Sequence, residues 1–423
     1  MAQRYDTYKD SGVRWLGEIP RHWNRALLGK LAILKTGTTP EFFENELGNE
    51  TIDWYTPSDF KDDFYLTDSQ RRLNKEDFDG CGLSYFPANS VLIIGIGGTA
   101  GKVACNKNSC YSNQQITSLI IKGRMDPLYM MLYLRSIRNM LLKTAHFTTL
   151  PILNNTFLAG VYVPLPPLFE QHSIVSYLDD KCGKIDKMLE GKQKQIELLA
   201  EMKQRIIADA VTRGINPDVE LKESGIFWIR HVPSHWNVRR LGHVLRKENR
   251  ERPINAELLV CTNKAKVIKR GESKMGLIAD SEDVYQGVKK GDLLIHGMDT
   301  WHGAIAISEY DGMCTPVVHV CTSNEDVGFI SLYLRYMAMM KVFKLISNGV
   351  RQNTSDFRSW GKVAVIPCPL PPLDEQHAIV SYITDKTSKI DTLTSKLQQE
   401  IESIKEYKQR LISDVVTGQI KVC

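Results

Sequence analysis

Residues 164–186 read PLPPLFEQHSIVSYLDDKCGKID, and residues 369–391 read PLPPLDEQHAIVSYITDKTSKID. Extended to residues 212 and 417, the two segments are identical at about 28 of 49 positions without a gap. Such self-similarity within one chain indicates a duplicated structural unit. The chain has 423 residues, a length typical of about two to four domains.

A second repeat precedes the first one in each half of the chain. Residues 11–24, SGVRWLGEIPRHWN, return at 224–237 as SGIFWIRHVPSHWN. We refer to 11–24 and 224–237 as the lead segments. The chain therefore consists of a lead segment, a variable region and a helical segment, each present twice.

The helical segments carry the pattern of a coiled coil. Each follows a proline-rich stretch and continues for about 40 residues, or ~60 Å. Apolar residues recur every seven positions, with an adjoining half-stripe, which is typical of a coiled-coil seam. In the second copy these are Ile383, Ile390, Leu397, Ile404 and Leu411, with Leu393, Ile401, Tyr407 and Val415. In the first copy they are Leu178, Ile185, Lys192, Leu199 and Ile206, with Met188, Ile196 and Met202.

We expect the two helices to pair with each other, although two members of an ordinary helical bundle are an alternative. Antiparallel pairing would bring the end of the second helix to the first lead segment. Lys192 interrupts the first seam and Gly191 weakens the helix, so we expect a kink or looser packing there.

The variable regions, residues 29–163 and 242–368, predict mixed structure. Short β-branched runs begin at Val91, Ile116, Asp292 and Val317, and each region has one amphipathic helix containing LYLR, at 132–135 and 332–335. The predicted fold is α+β. Two similar globular α/β domains are separated by two long antiparallel coiled-coil-like helices in a pseudo-two-fold repeat. The predicted domains are 1–163, 164–214, 215–368 and 369–423.

Composition favours an ordinary cytosolic protein. The 43% hydrophobic and 24% charged content is typical of globular chains, and no run approaches the ~18 apolar residues of a membrane span. The start, MAQRYDTYKD, lacks the apolar core of a signal peptide. The nine cysteines form no CxxC pair, so we expect free thiols and no bound metal.

Charge is unevenly distributed, although the net charge is only +5. Residues 239–270 contain 10 Lys/Arg and 3 Asp/Glu, or 10 − 3 = +7, whereas residues 41–79 contain 4 and 12, or 4 − 12 = −8. The basic block is expected either to face DNA phosphates or to be a solvated charged surface. The acidic block is expected to face a partner or solvent.

Catalytic motifs fail in this sequence. Residues 95–102, GIGGTAGK, follow an apolar strand, but Ile96 and Val103 occupy positions where a P-loop needs Gly and Ser/Thr. A cofactor loop would lead into a helix, whereas the residues after Lys102 read as a strand. The loop is therefore either a hairpin turn or a flexible loop that approaches DNA. The Asn/Asp-Pro-Pro-aromatic tetrapeptide of an adenine methyltransferase does not occur.

Polar residues of the variable regions are the candidate DNA contacts, because such side chains read base edges and phosphates. Ordinary polar loops at a sheet edge are the alternative. The candidates are Lys102, Asn113, Gln114, Gln115, Thr148 and Thr149 in the first region and His302, Arg351, Gln352 and Asn353 in the second.

Together, the lead segments, the PLPPL-x-EQH repeats and the KQR-I/L-I-x-D endings resemble the specificity subunit of Type I restriction-modification enzymes. The resemblance implies two target-recognition domains, each reading half of a bipartite sequence in double-stranded DNA. It implies that the helix pair sets the spacer length and docks two modification subunits, which bind S-adenosylmethionine. Restriction subunits that use ATP and Mg²⁺ would join the same complex, so this chain would hold no cofactor and catalyse nothing. The alternatives are a self-contained S-adenosylmethionine-dependent DNA methyltransferase or nuclease, and a helical adaptor unrelated to DNA.

Overall fold

A computed structural model describes residues 3–39, 50–61, 63–74, 83–147, 151–272, 284–347 and 356–422. The chain divides into two compact units. Unit 1 contains Met1–Lys192 and Gln399–Cys423, and unit 2 contains Gln193–Gln398. Each unit therefore combines one variable region with one end of each long helix.

Unit 1 is built from short strands and helices together with the first part of one long helix and the last part of the other. Its elements are β1 Tyr8–Asp10, β2 Glu18–Pro20, β3 Asn24–Leu27, α1 Leu28–Leu31, β4 Ala32–Thr36, β5 Thr51–Tyr55, β6 Tyr65–Leu66, β7 Arg71–Asn74, β8 Val91–Ile94, β9 Val103–Asn106, β10 Cys110–Ser112, β11 Ile116–Ile121, α2 Pro127–Ser136, α3 Arg138–Thr144, β12 His146–Phe147, β13 Pro151–Ile152, α4 Asn155–Ala159, β14 Tyr162–Leu165 and the first part of α5 Leu168–Arg213.

Unit 2 repeats this order of elements. Its elements are the rest of α5, β15 Leu221–Ile226, β16 Ile229–Pro233, β17 Asn237–Arg240, α6 Leu241–Val244, β18 Leu245–Lys247, β19 Leu259–Cys261, β20 Val267–Lys269, β21 Gln286–Val288, β22 Leu293–His296, β23 Ile305–Ile307, β24 Gly312–Cys314, β25 Val318–Ser323, α7 Val327–Met339, α8 Val342–Leu345, α9 Trp360–Ala364, β26 Pro367–Leu370 and α10 Leu373–Val416, whose last part belongs to unit 1.

The central sheets of the two units share the order of four strands, and the sheet of unit 1 has β6 as a fifth strand. In unit 1 the order is β4-β11-β8-β9-β6, antiparallel except for the parallel β6–β9 pair. In unit 2 the order is β18-β25-β22-β23, antiparallel throughout. All four apolar runs expected as strands lie in these sheets, in β8, β11, β22 and β25. Both LYLR segments lie on the helices that cover them, α2 and α7. The predicted α+β repeat is confirmed.

The long helices pair in antiparallel orientation inside each unit. In unit 1 the Nζ of Lys408 lies 2.6 Å from Oδ1 of Asp186, and Lys192 pairs with Glu400. In unit 2 the Nζ of Lys203 lies 2.6 Å from Oδ1 of Asp391. Because the residue numbers of the α10 partners decrease as those of α5 increase, the helices are antiparallel in both units. The seam residues Ile383, Ile390, Leu397 and Leu411 are buried, as expected.

Part of the predicted stripe is wrong. Met188 and Met202 of α5 are 54% and 55% exposed, and Leu393 and Tyr407 of α10 are 47% and 59% exposed. A two-helix seam buries only a narrow stripe along each helix. The adjoining half-stripe at these positions therefore lies on the flank of the pair, although Ile401 and Val415 of the same half-stripe are buried.

Lys192 does not leave a gap in the seam. Its ammonium pairs with the Glu400 carboxylate, so the polar interruption has a partner of opposite charge. Helix α5 runs without interruption from Leu168 to Arg213. A side chain added at Gly191 would meet no heavy atom within 4 Å.

Gly191→Ala is therefore expected to stabilise unit 1 by about 1 kcal/mol, because the exposed helix gains a residue with a lower conformational entropy cost. Denaturant unfolding of the full chain measures this change. Gly101→Ala is the control of opposite sign, because Gly101 has φ +77° and an added Cβ would lie 2.9 Å from Cγ of Arg138. Destabilisation by Gly191→Ala would contradict the expectation.

Two consecutive polar side chains at the start of α5 join the parts of unit 1. The buried Glu170 accepts hydrogen bonds from Tyr5 Oη at 2.9 Å and Trp23 Nε1 at 2.8 Å, and its Oε1 lies 2.6 Å from His22 Nε2. Gln171 accepts from the amide of Asp126 at 2.8 Å and donates to the carbonyls of Arg124 and Pro166. Glu170 thus holds the lead segment, and Gln171 holds the start of α2.

The same joint in unit 2 has fewer bonds. Glu375 lies 2.7 Å from His235 Nε2, and Gln376 accepts from the amide of Asp326 at 3.0 Å. The buried Nε1 of Trp236, the counterpart of Trp23, has no acceptor within the described part of the chain. Glu375 is also more exposed than Glu170. The polar groups of the unit 1 joint therefore make more hydrogen bonds than those of the unit 2 joint.

Glu170→Ala is expected to destabilise the chain by about 2–4 kcal/mol, because three donors lose a buried charged acceptor. Glu375→Ala, the repeat-equivalent control, should cost only about 1 kcal/mol, because it removes one half-exposed bond. The midpoints of denaturant unfolding measure both. Equal losses would contradict the ranking.

The end of α10 lies beside the first lead segment, as antiparallel pairing predicts. Tyr8 Oη donates to the carbonyl of Gly418 at 2.9 Å, and Gln419 Nε2 donates to the carbonyl of Glu18 at 2.7 Å. In unit 2 the end of α5 has the corresponding place, where Ala210 and Val211 pack in the core with Trp236.

Candidate nucleic-acid interface

The glycine-rich segment 95–102 is a hairpin turn between β8 and β9. The amide of Ile94 donates to the carbonyl of Lys102 at 2.9 Å, and the amide of Gly101 donates back to Ile94 at 2.8 Å. Gly97 and Gly101 have φ of +111° and +77°, which glycine adopts without strain. Because the loop returns into strand β9, it is not the strand-to-helix turn of a nucleotide-binding loop.

Two arginines of the helical layer hold this loop in place. Arg138 donates through Nε and Nη2 to the carbonyl of Ala100, at 3.1 and 3.0 Å. Arg135, the last residue of LYLR, donates through Nε to the carbonyl of Val103 at 2.9 Å. The loop is thus tied to α2 and α3 by charged donors that bind backbone oxygen atoms.

Asn113, Gln114 and Gln115, three of the predicted DNA contacts, lie beside the loop. The amide of Gly95 donates to the carbonyl of Gln115 at 2.7 Å, and Asn113 Nδ2 donates to Gln115 Oε1 at 2.9 Å. Thr39 donates to Gln114 Oε1. These residues and the loop line a cleft of about 540 Å³, which we call the loop cleft. Its other lining residues include Trp54, Asp59, Gln70, Arg71 and Thr99.

The loop cleft presents donors and acceptors from side chains on several segments. Gln70 and Arg71 line it although they belong to the acidic block. The negative charge of that block gave no reason in the sequence to predict them as DNA contacts. The acidic Asp59 is engaged within its own domain, because it accepts from the amides of Thr56 at 2.7 Å and Gln70 at 3.0 Å. The cleft therefore carries mixed hydrogen-bonding groups of the kind that read base edges.

Lys102 lies in a different cleft from Asn113, Gln114 and Gln115. Its Nζ donates to the carbonyl of Phe60 at 3.3 Å, and it lines a cleft of about 380 Å³ between the loop and the long helices. Thr148 and Thr149 lie outside the described residues. On either side of them, β12 pairs with β13, and Ile152 bridges to Ile96 of the loop.

In unit 2 the loop at 297–304 is held by equivalent backbone hydrogen bonds, and we call this set of bonds the loop frame. The amide of His296 donates to Ala304 at 3.0 Å, and Phe357 donates to Gly297 at 3.1 Å. The last bond corresponds to the one from Leu153 to Gly95, at 2.8 Å. The frame is therefore common to both units, while the residues that line it differ.

His302 belongs to the one-turn helix Thr300–His302 of this loop. Its imidazole is about half exposed, with Nδ1 3.9 Å from Oδ1 of Asp299. It lines a cleft of about 390 Å³ with Lys203, Trp301 and Arg335. Arg351, Gln352 and Asn353, predicted to contact DNA from the same unit, lie outside the described residues.

Burial shifts the pKa of two histidines and two cysteines beneath the loops in the direction that favours the neutral form. Burial lowers the pKa of His296 and of His319, whose Nε2 lies 2.7 Å from the carbonyl of Phe357. Burial raises the pKa of the Cys110 and Cys314 thiols to about 12. The described cysteines are free, as predicted, and keep their protons.

The basic block at 239–270 is partly neutralised within unit 2. Arg250 pairs with the buried Asp292, and Lys269 lies 2.5 Å from Glu257. Arg246 keeps an 83% exposed side chain. Only part of the block therefore remains available to bind phosphate. Phosphate binding by this block stays a prediction.

The chain matches the profile of the Type I restriction modification DNA specificity domain twice, over residues 20–198 and 233–403. The chain belongs to this family. The two matches correspond to the two halves of the internal repeat, since each spans a variable region and most of the long helix that follows it.

Relatives in this family align over nearly the whole chain. The MjaIX specificity subunit of Methanocaldococcus jannaschii is 23% identical, with 99% of this chain and 98% of the relative aligned. The EcoDI specificity subunit of Escherichia coli is 20% identical, with 96% and 90% aligned.

Solved structures share the fold. A chain from a study of complex assembly and conformational transition of the type I restriction-modification system aligns with a TM-score of 0.71 and 14% identity, over 94% of this chain and 98% of that chain. The HsdS subunit of Thermoanaerobacter tengcongensis aligns with a TM-score of 0.54 and 14% identity, over 95% and 98%.

Two further features are absent from the described residues. None of the helices there is long and apolar enough to cross a membrane. Across the same residues, no group of three or more His, Cys, Asp and Glu side chains could hold a metal ion.

Proposed function

We propose that this chain is the specificity subunit of a Type I restriction-modification assembly and reads a bipartite sequence in double-stranded DNA, one half in each unit. The observation that carries the proposal is the shared frame with different side chains. In unit 1 the amide of Gly95 donates to the carbonyl of Gln115. In unit 2 the amide of Gly297 donates to the carbonyl of Val317, at 2.9 Å. Similar backbones that present different groups suit two different half-sites.

Asn113, Gln114 and Gln115 are the proposed base-reading residues of unit 1. Asn and Gln amides can make bidentate hydrogen bonds to adenine in the major groove, and a lysine or arginine does so to guanine. Arg71 lines the same cleft and supplies the second kind of donor. Thr148 and Thr149, and in unit 2 His302, Arg351, Gln352 and Asn353, remain proposed contacts on the strength of their sequence.

Replacing Asn113 and Gln114 by Ala is expected to weaken discrimination at one half-site by about 1–3 kcal/mol for each bidentate pair of hydrogen bonds that is removed. The measurement is the affinity of the assembled complex for duplexes with single base changes in either half-site. His302→Ala is the matched control and should affect only the other half-site. Changes at both half-sites from either variant would contradict the one-unit, one-half-site proposal.

The long helices are proposed to dock two modification subunits. Met188 and Leu393 occupy equivalent positions of the repeat, as do Met202 and Tyr407, and all four are about half exposed. Unit 1 contains Met188 and Tyr407 near its Asp186–Lys408 ion pair, and unit 2 contains Met202 and Leu393 near its Lys203–Asp391 pair. Two equivalent apolar surfaces suit two copies of one partner.

Met188→Glu combined with Tyr407→Glu is expected to reduce the bound modification subunits from two to one, because charge is introduced into one apolar contact only. Mass measurement of the purified assembly counts the subunits. Met202→Glu with Leu393→Glu is the equivalent change in unit 2 and should also leave one. Retention of both subunits by both variants would show that these surfaces do not dock them.

Chemistry is proposed to reside in the partners. The family recognises DNA, and we expect S-adenosylmethionine on the modification subunits, with ATP and Mg²⁺ on the restriction subunits. The glycine-rich loop supports this division, because its hairpin geometry does not suit a nucleotide or S-adenosylmethionine. The helix pair is proposed to set the length of the unread spacer, and the assembly is expected in the cytosol.

A further inference from the structure

A strongly basic cleft lies between the recognition domain and the long helices of unit 1. We call it the helix cleft of unit 1. It has a volume of about 380 Å³ and is lined by six basic side chains and one acidic side chain, so that 6 − 1 = +5. The basic residues are Lys61, Lys102, Arg135, Arg138, Lys405 and Lys408, and the acidic residue is Asp186. The cleft therefore concentrates as much positive charge as the whole chain carries net.

Unit 2 has an equivalent cleft, of about 390 Å³, which we call the helix cleft of unit 2. Its Arg335 is the counterpart of Arg135 in LYLR, and its Lys203 and Gln204 are the counterparts of Lys408 and Gln409 in the KQR endings. In unit 1 these motifs meet directly, since Gln409 Nε2 lies 3.5 Å from the carbonyl of Arg135.

Two repeated motifs that are far apart in sequence therefore converge on one cleft in each unit. The glycine that ends each loop, Gly101 or Gly303, lines the same cleft. Each helix cleft thus lies directly beside a loop whose neighbours are proposed to read bases.

The helix cleft of unit 2 holds donors without acceptors. The guanidinium of Arg335 has no hydrogen-bond or ion-pair partner in the described ranges, and neither has the buried Nε1 of Trp301. Among the described residues, the lining contains no carboxylate, although Lys203 pairs with Asp391 outside it. Desolvation at this position lowers the pKa of the Arg335 guanidinium. The buried Nε1 of Trp301 is costly without an acceptor, and the partly buried Arg335 guanidinium beside it is positively charged, so an anionic acceptor would be stabilised here.

We infer that each helix cleft binds a backbone phosphate of the DNA, which anchors the duplex beside the reading loop without sequence preference. This inference rests on the proposed function. DNA suits the clefts better than an acidic protein segment does, because both clefts adjoin reading loops and two of the cations, Arg135 with Lys408 in unit 1 and Arg335 with Lys203 in unit 2, recur in both units. Phosphate contacts from arginine and lysine position a protein on the duplex, while loop contacts specify the sequence.

The test measures how salt affects DNA affinity of the chain assembled with its modification subunits. Lys61→Gln with Lys405→Gln changes the cleft of unit 1, and Arg335→Gln changes that of unit 2. Lys187→Gln and Lys396→Gln remove exposed charges from the same helices outside the clefts. Thermal unfolding of each variant establishes that it is folded.

Each cleft variant should reduce the slope of log K against log salt by about 0.9 for each phosphate contact that the substitution removes. Affinity at 0.1 M salt should fall roughly 8-fold from the same counterion release, equally for cognate and unrelated duplexes. The two control variants should leave the slope within error of the unaltered assembly.

Three results would overturn the inference: an unchanged slope, a loss confined to cognate DNA, or loss of a modification subunit with the slope intact. The last would assign the clefts to protein docking. Failure of the proposed function is separate, since an unaltered assembly without preference for any bipartite duplex would contradict sequence reading. In that case, the slopes on unrelated duplexes still decide whether the clefts bind phosphate.

Discussion

The hydrogen bonds in the first turn of each long helix determine how the parts of each unit are assembled. Glu170 binds the lead segment and Gln171 binds the start of α2, so two adjacent side chains fix one helix to two other elements. Hydrogen bonds have directional preferences that apolar contacts lack. The joint therefore sets the orientation in which a recognition domain meets the helix, and Glu375 with Gln376 repeats it in unit 2.

The helix pair follows from the duplication. A helix of 46 or 44 residues cannot bury an apolar stripe by itself, and its repeat carries a matching stripe. The ion pairs Asp186–Lys408 in unit 1 and Lys203–Asp391 in unit 2 join positions whose numbers sum to 594 in both cases. The two pairings therefore have the same register. Exposed ion pairs add little stability, so the buried seam supplies most of the energy and the charges select the alignment.

The sequence predicts the repeat, the strands β8, β11, β22 and β25 of the central sheets and the antiparallel helices, because these depend on periodicity and local pattern. It does not separate buried from exposed positions in the half-stripe, since Ile401 is buried and Tyr407 is not. It places Asn113, Gln114 and Gln115 together because they are adjacent. Gln70 and Arg71 were missed because their approach to this cleft depends on long-range folding, and Lys102 belongs to another cleft for the same reason.

The loop frame explains how one fold can present two specificities. The bonds that define it, at Gly95 in unit 1 and Gly297 in unit 2, are made by backbone atoms, so they constrain the side chains nearby very little. Gln115 and Val317 therefore occupy the same place although their side chains differ. A side chain also supports the loop in unit 1, because Arg135 of LYLR donates to the carbonyl of Val103. Residues that read bases are thus free to diverge between the units.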